Sequence, residues 1–247
     1  MKVIACNWKM NMNLEQINEF FSILSNSNLS NSLLDNEKEL IIFPSFLHIK
    51  HCIDTINNLD INNINIGSQD VSQFENGAFT GSVSAAMLSD IGIKNCLVGH
   101  SERRLIFKDH HTIISDKIKQ LLKYKMKITF CIGETLSELE SNQFESVIQS
   151  QLSVFDEINI HDSNIIIGYE PVWSIGTGKI PTLEEIQKKH YFIKNFIQKK
   201  HNSDCKILYG GSVNENNFAD ILSIKNVDGL LIGGASLKVQ NVIKFLK

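Results

Sequence analysis

Short runs of consecutive apolar residues alternate along the chain with longer stretches in which apolar positions recur at helical spacing. The runs are 2–8 (KVIACNW), 39–43 (ELIIF), 64–68 (INIGS), 96–100 (CLVGH), 128–134 (ITFCIGE), 164–170 (NIIIGYE), 206–211 (KILYGG) and 229–234 (GLLIGG). Uninterrupted runs, in place of period-two alternation, fit parallel strands covered on both faces. Amphipathic stretches such as 14–24, 113–125, 183–199 and 217–222 follow them and read as helices. The order is therefore eight βα units, and with no linker or low-complexity segment between them a single domain spanning 1–247 is expected. Such a series fits a (β/α)8 barrel, with an open doubly wound sheet as the alternative that pattern alone leaves standing.

Composition narrows the function classes. A net charge of −3 gives no basic face for nucleic acid, and 43% hydrophobic residues in 247 are enough for a large core. The five cysteines are scattered, with no C-x-x-C pair and no Cys/His spacing for zinc, which points to a reduced, cytoplasmic setting. The opening "VIAC" is too short for a signal core of roughly 7–15 residues. No apolar run approaches the roughly 20 residues that a membrane span needs.

Chemistry concentrates where the runs end. In a barrel these ends open onto one face, so residues distant in sequence can share a pocket. Glu170 closes the sixth run ahead of Pro171. A carboxylate in an apolar, covered pocket has its charged form disfavoured, which raises its pKa toward the range of a general base. A solvated strand-end glutamate is the plainer alternative. His100, in "GHSERR", closes the fourth run, where a neutral imidazole can donate to a substrate carbonyl and to the oxyanion that forms next; a histidine that merely satisfies a backbone group is the alternative. Lys9 and Asn7 follow the first run, and a cation at a buried strand end calls for an anionic ligand or a carboxylate unless it snorkels to water.

Glycine pairs mark the last three βα connections: "IGTG" after the sixth run, "YGGS" after the seventh and "IGGASL" after the eighth. Each can present bare backbone N–H groups to a phosphate, whereas any one alone is also an ordinary tight turn. Two of the three prolines bracket "IGTG", giving stiff ends around a pliable middle, the pattern of a lid. "KDHHT" is not read as a metal site, because adjacent His110 and His111 do not share a helical face; a helix start near Asp109 is expected there.

The pieces "NWKMN", "GAFTGSVS", "VGHSERR", "CIGE", "GYEPVWSIGTGK", "YGGSVN" and "DGLLIGGASL" together resemble the triosephosphate isomerase family from Lys2 to the last helix. The resemblance implies a (β/α)8 barrel that interconverts dihydroxyacetone phosphate and D-glyceraldehyde 3-phosphate through an enediol(ate), a step of glycolysis and gluconeogenesis, with no cofactor and no metal. It implies Glu170 as the base, His100 as the neutral electrophile, and Asn7 and Lys9 as residues meeting substrate and its developing charge. Gly176, Ser212, Gly233 and Gly234 take the phosphate contacts. The segment after Glu170 becomes a lid with Pro171, Val172 and Trp173 as first hinge, closing over the phosphate and excluding water. The loop from Gly77 to Gly81 implies a homodimer.

Three departures from the family pattern stand out. Ile180-Pro181 replace small or polar residues at the second hinge, which predicts slower or smaller lid motion. Ser82 stands where glutamate is common, removing an ion pair expected across the dimer to Arg103. Phe107-Lys108-Asp109 replaces Phe-Gly-Glu. One exposed ion pair contributes only about 0–1 kcal/mol, so a dimer is still expected. A phosphosugar aldolase or epimerase would need a Schiff-base lysine in a later strand or metal ligands, and a silent scaffold would have no use for Asn7, Lys9, His100 and Glu170 together.

Overall fold

The computed structural model describes residues 1–27, 38–59, 63–158, 160, 164–177 and 179–247. Its strands are β1 (Lys2–Asn7), β2 (Lys38–Phe43), β3 (Ile64–Ser68), β4 (Asn95–Val98), β5 (Lys127–Ile132), β6 (Ile165–Tyr169), β7 (Lys206–Tyr209) and β8 (Gly229–Ile232). All pair in parallel in sequence order, and β1 pairs with both β2 and β8, so the sheet closes into a barrel. Closure excludes the open doubly wound sheet. Adjacent residues of one strand serve different cores. Val3 and Ala5 join Ile41, Leu97, Ile166 and Leu231 in one cluster, while Ile4 and Cys6 join Leu40, Ile42 and the helices in another. That double burial is why the runs lack polar alternation.

The helices are α1 (Leu14–Asn26), α2 (Ile49–Asn58), α3 (Ala85–Asp90), α4 (Ser101–Leu105), α5 (His111–Lys123), α6 (Leu136–Glu140), α7 (Phe144–Leu152), α8 (Leu183–His201), α9 (Phe218–Ser223) and α10 (Val239–Leu246). Local chemistry sets their ends. Asn13 with Gln16 and Thr182 with Glu185 form capping boxes that satisfy free N–H groups at the starts of α1 and α8. Helix α8 runs two residues beyond its predicted end, to His201, and stops where Asn202 turns left-handed (φ 49°). Helix α5 starts two residues before the predicted 113 and ends at Lys123, ahead of left-handed Lys125 (φ 54°).

Six of the eight strands stop earlier than their apolar runs; β2 and β3 end with theirs, at Phe43 and Ser68. His100, Glu134, Glu170, Gly211 and Gly234 all lie beyond the last paired residue of their strand. Their side chains and N–H groups are thereby left for the pocket, since ladder pairing ends where the backbone turns over the rim. Among the described residues no helix is long and apolar enough to cross a membrane.

Candidate active site

A cavity of about 300 Å³ at the C-terminal rim of the barrel is lined by Asn7, Lys9, His100, Glu170, Gly176, Ser212, Gly233 and Gly234, among others. The residues expected to act in catalysis or to contact phosphate thus line one cavity. His100 Nε2 lies 3.2 Å from Glu170 Oε1, although the residues are 70 positions apart, and both side chains are about 5% exposed. Glu170 follows β6 with its N–H donated to Ile132 O at 2.7 Å. Glycines clear its berth: a Cβ on Gly133 would lie 1.8 Å from the Glu170 carbonyl oxygen, and one on Gly210 would lie 2.7 Å from its Cγ. Glu170 Oε2 is buried with no hydrogen-bond partner.

His100 caps α4, and its Nδ1 accepts the Glu102 N–H at 3.2 Å. With Nδ1 as acceptor, the ring proton is assigned to Nε2, facing Glu170 and the cavity. Burial works against a charged ring, but the adjacent Glu170 carboxylate outweighs it and raises the His100 pKa above its ordinary value. Burial likewise opposes the Glu170 carboxylate, and His100 and then Lys9 overcome it, drawing its pKa below the usual range. The expected rise in Glu170 basicity is therefore reversed in the free site, because a charge partner reached through the fold outweighs desolvation.

Lys9 sits in left-handed backbone (φ 52°), held by its N–H donating to Asn7 Oδ1 at 3.0 Å and its carbonyl accepting from Gln69 Nε2 at 2.8 Å. Its Nζ donates to Glu102 Oε1 at 2.6 Å. The carboxylate called for by this cation is thus Glu102, which the sequence reading did not single out. Its spacing to Lys9 is a property of the barrel, with only the "HSERR" motif as a hint. Arg104 bonds Gly99 O at 2.7 Å and Cys131 O at 3.0 Å, bracing the backbone below the imidazole.

The segment after Glu170 forms a 3-10 turn, Val172–Ser174, and then Gly176 at φ 68° with open space where a Cβ would be. Gly178 of the expected lid lies outside the described residues. Fully buried Glu134 ties the first stem down: its Oε1 accepts from Tyr169 OH at 3.1 Å, Trp173 Nε1 at 3.2 Å and Lys189 Nζ at 2.5 Å. Glu134 ends the fifth run just as Glu170 ends the sixth, so the same positional signal marked it, but its partners are set by tertiary approach.

A family model for triosephosphate isomerase matches residues 2–247. The chain belongs to the triosephosphate isomerase family. It is 39% identical over 248 residues to the triosephosphate isomerase of Flavobacterium psychrophilum, covering 98% of this chain and 96% of that one. It is 39% identical over 251 residues to that of Finegoldia magna, covering 99% and 97%. Against that of Francisella tularensis subsp. mediasiatica the identity is 38% over 242 residues, covering 96% and 92%. The triosephosphate isomerase reaction is an aldose–ketose interconversion of dihydroxyacetone phosphate and D-glyceraldehyde 3-phosphate through an enediol(ate).

Arg103 is satisfied within its own chain. It contacts Asp70 Oδ2 at 3.1 Å and Asp109 Oδ2 at 3.2 Å. Buried Lys117 lies between the same carboxylates, 2.7 Å from Asp70 and 2.5 Å from Asp109. Asp109 is hence a buried ion-pair partner next to the N-cap His110 of α5, a stronger role than the helix-start residue expected. Lys108 adopts left-handed backbone, φ 62°. Phe74 and Phe79 stack at 3.8 Å between ring centroids, both exposed, beside the Gly77 to Gly81 loop.

Proposed function

We propose that Glu170 and His100 carry the proton chemistry of the isomerase within a single barrel domain, with Lys9 and Asn7 supporting the developing charge. The observation that carries this reading is the 3.2 Å approach of His100 Nε2 to Glu170 Oε1 at the floor of the cavity. A triose phosphate enters with its phosphate on the backbone N–H groups of Gly176, Ser212, Gly233 and Gly234, a cradle that needs no arginine. Its carbonyl faces the His100 Nε2–H and the Lys9 ammonium. Glu170 then removes a proton from the carbon beside the carbonyl, and the freed electron pair forms the enediolate, whose oxygen is held by His100. The same carboxyl returns the proton to the neighbouring carbon, while His100 gives its Nε2 proton to the old carbonyl oxygen and takes up the proton of the adjacent hydroxyl, which becomes the new carbonyl, so no redox partner is consumed.

Substrate also resolves the pKa of the base. By separating Glu170 from His100 it removes the larger of the two charges that depress the carboxylate, Lys9 being the other, while burial, which acts in the opposite sense, remains. The Glu170 pKa consequently rises when the base is needed. Lid closure over the phosphate excludes water and retains the enediolate, whose phosphate would otherwise be lost.

A cytoplasmic homodimer completes the proposal. The exposed Phe74 and Phe79 pair would be covered by a second copy, whose 77–81 loop would sit beside the pocket containing Lys9, Phe46 and Phe107. A monomer with full activity at micromolar concentration contradicts that part. The catalytic assignment is tested by Glu170→Gln in a coupled assay with D-glyceraldehyde 3-phosphate. A general base contributes typically ~10²–10⁴-fold, so kcat should fall by about a hundredfold or more with little change in KM. Equal rates would remove Glu170 from the chemistry.

A further inference from the structure

Ser174 ends the 3-10 turn just ahead of Gly176 and is fully buried. Its hydroxyl donates its one proton to the Lys179 carbonyl at 2.6 Å and accepts the Ser212 N–H at 3.2 Å. The Ser212 hydroxyl in turn donates to the Ser174 carbonyl. Ser212 therefore turns both of its donors toward the lid stem and away from the cavity it lines. Gly211 makes this approach possible, since a Cβ there would lie 2.9 Å from Ser174 Oγ.

We propose that Ser174 is a positioning residue that sets phosphate affinity by competition: its hydroxyl occupies the Ser212 N–H, and an incoming phosphate must displace it. This rests on Ser212 being a phosphate contact. The exchange favours phosphate, because an N–H bonded to a dianion is roughly twice as strong as one bonded to a neutral hydroxyl. The hydroxyl also links the two events. The two bonds run in sequence, Ser212 N–H to Ser174 Oγ–H to Lys179 O, and bonds in such a chain polarise one another. Loss of the first bond to phosphate weakens the second, which clasps the far stem of the lid. Phosphate arrival thus loosens the stem at Lys179, at the cost of affinity.

Ser174→Ala removes the competing acceptor and leaves the carbonyl that holds the Ser212 hydroxyl. The net value of one neutral hydrogen bond predicts that Kd for inorganic phosphate and KM for triose phosphate both fall by about fivefold, with kcat equal to or below wild type. Ser174→Cys keeps a side chain of similar shape but offers a weak acceptor, and should give the same direction. Hydrogen exchange of the Ser212 amide should quicken in both variants. A residue that merely packs the lid would give unchanged or weaker phosphate binding on substitution, and either result overturns the proposal. Phosphate titration of the wild type by amide NMR separates the two levels. If the Ser212, Gly233 and Gly234 amides do not shift, the phosphate cradle itself is wrong and this inference falls with it. If they shift but affinity is the same in Ser174→Ala, only the competition is refuted.

Discussion

His190 offers the most quantitative test of how burial in this barrel controls charge. It lies on α8 with its ring fully buried, packed edge-on to Tyr169 at 5.7 Å and tilted against Tyr209 at 6.3 Å. Nδ1 bonds Asn226 O at 3.0 Å, and Nε2 has no partner. Burial pushes its pKa down from 6.5 to about 4, the bond to Asn226 opposing only in part. A depressed folded-state value means that the stabilisation is complete above the unfolded pKa of 6.5 and is lost as pH falls through about 4. Each pKa unit corresponds to about 1.4 kcal/mol, so the difference between neutrality and pH ~4 amounts to about 3 kcal/mol from this ring alone. His190→Gln keeps a donor for Asn226 and removes the titration. Urea unfolding of both proteins at about pH 7 and pH 4, at one fixed protein concentration, gives the stability lost on acidification for each. The variant should lose about 3 kcal/mol less than wild type, whatever its starting stability. Equal acid losses, within about 1 kcal/mol, would show that the buried imidazole does not resist protonation and would refute the reasoning.

Three further outcomes follow from the same geometry. Glu170→Gln should lower the His100 pKa, measured by NMR titration of the ring, because the carboxylate that raises it is gone and burial remains; an unchanged pKa would contradict the coupling. Lys117→Met leaves the buried Asp109 and the partly buried Asp70 facing Arg103 alone and should cost about 3–5 kcal/mol in urea unfolding, with Asp70→Asn in the same background recovering much of it. Pro181→Ala should speed lid opening in temperature-jump or relaxation-dispersion experiments, since buried Pro181 restrains Ile180 at the second stem; identical rates would dismiss the hinge effect.

Much of the barrel was legible in its sequence because continuous burial leaves a continuous apolar run, and the polar residues closing each run mark the rim. The same signal placed His100 and Glu170 at one face. It misjudged where strands end, since a run of apolar letters says nothing of where ladder pairing stops and the backbone turns. It also missed contacts that arise only between distant loops. Glu102 meets Lys9 across 93 positions, and Lys189 meets Glu134 across 55. The direction of the Glu170 shift was misread for this reason: desolvation can be inferred from a neighbouring apolar run, but a charge partner 70 residues away cannot. At the expected dimer face, the absence of a glutamate at Ser82 was visible, whereas the substitute counterion Asp70 became evident only when β3 and α4 were brought together.

The central claim is that Glu170 moves a proton between two carbons of a substrate lying against His100. Isomerisation of D-glyceraldehyde 3-phosphate in D₂O, followed by proton NMR, tests it most directly. Wild type should place solvent deuterium on the carbon that receives the proton, and Glu170→Gln should lose isomerisation and deuterium incorporation together, by about a hundredfold or more. Deuterium incorporation by Glu170→Gln at the wild-type rate would mean that another group carries the proton, and the account would fail.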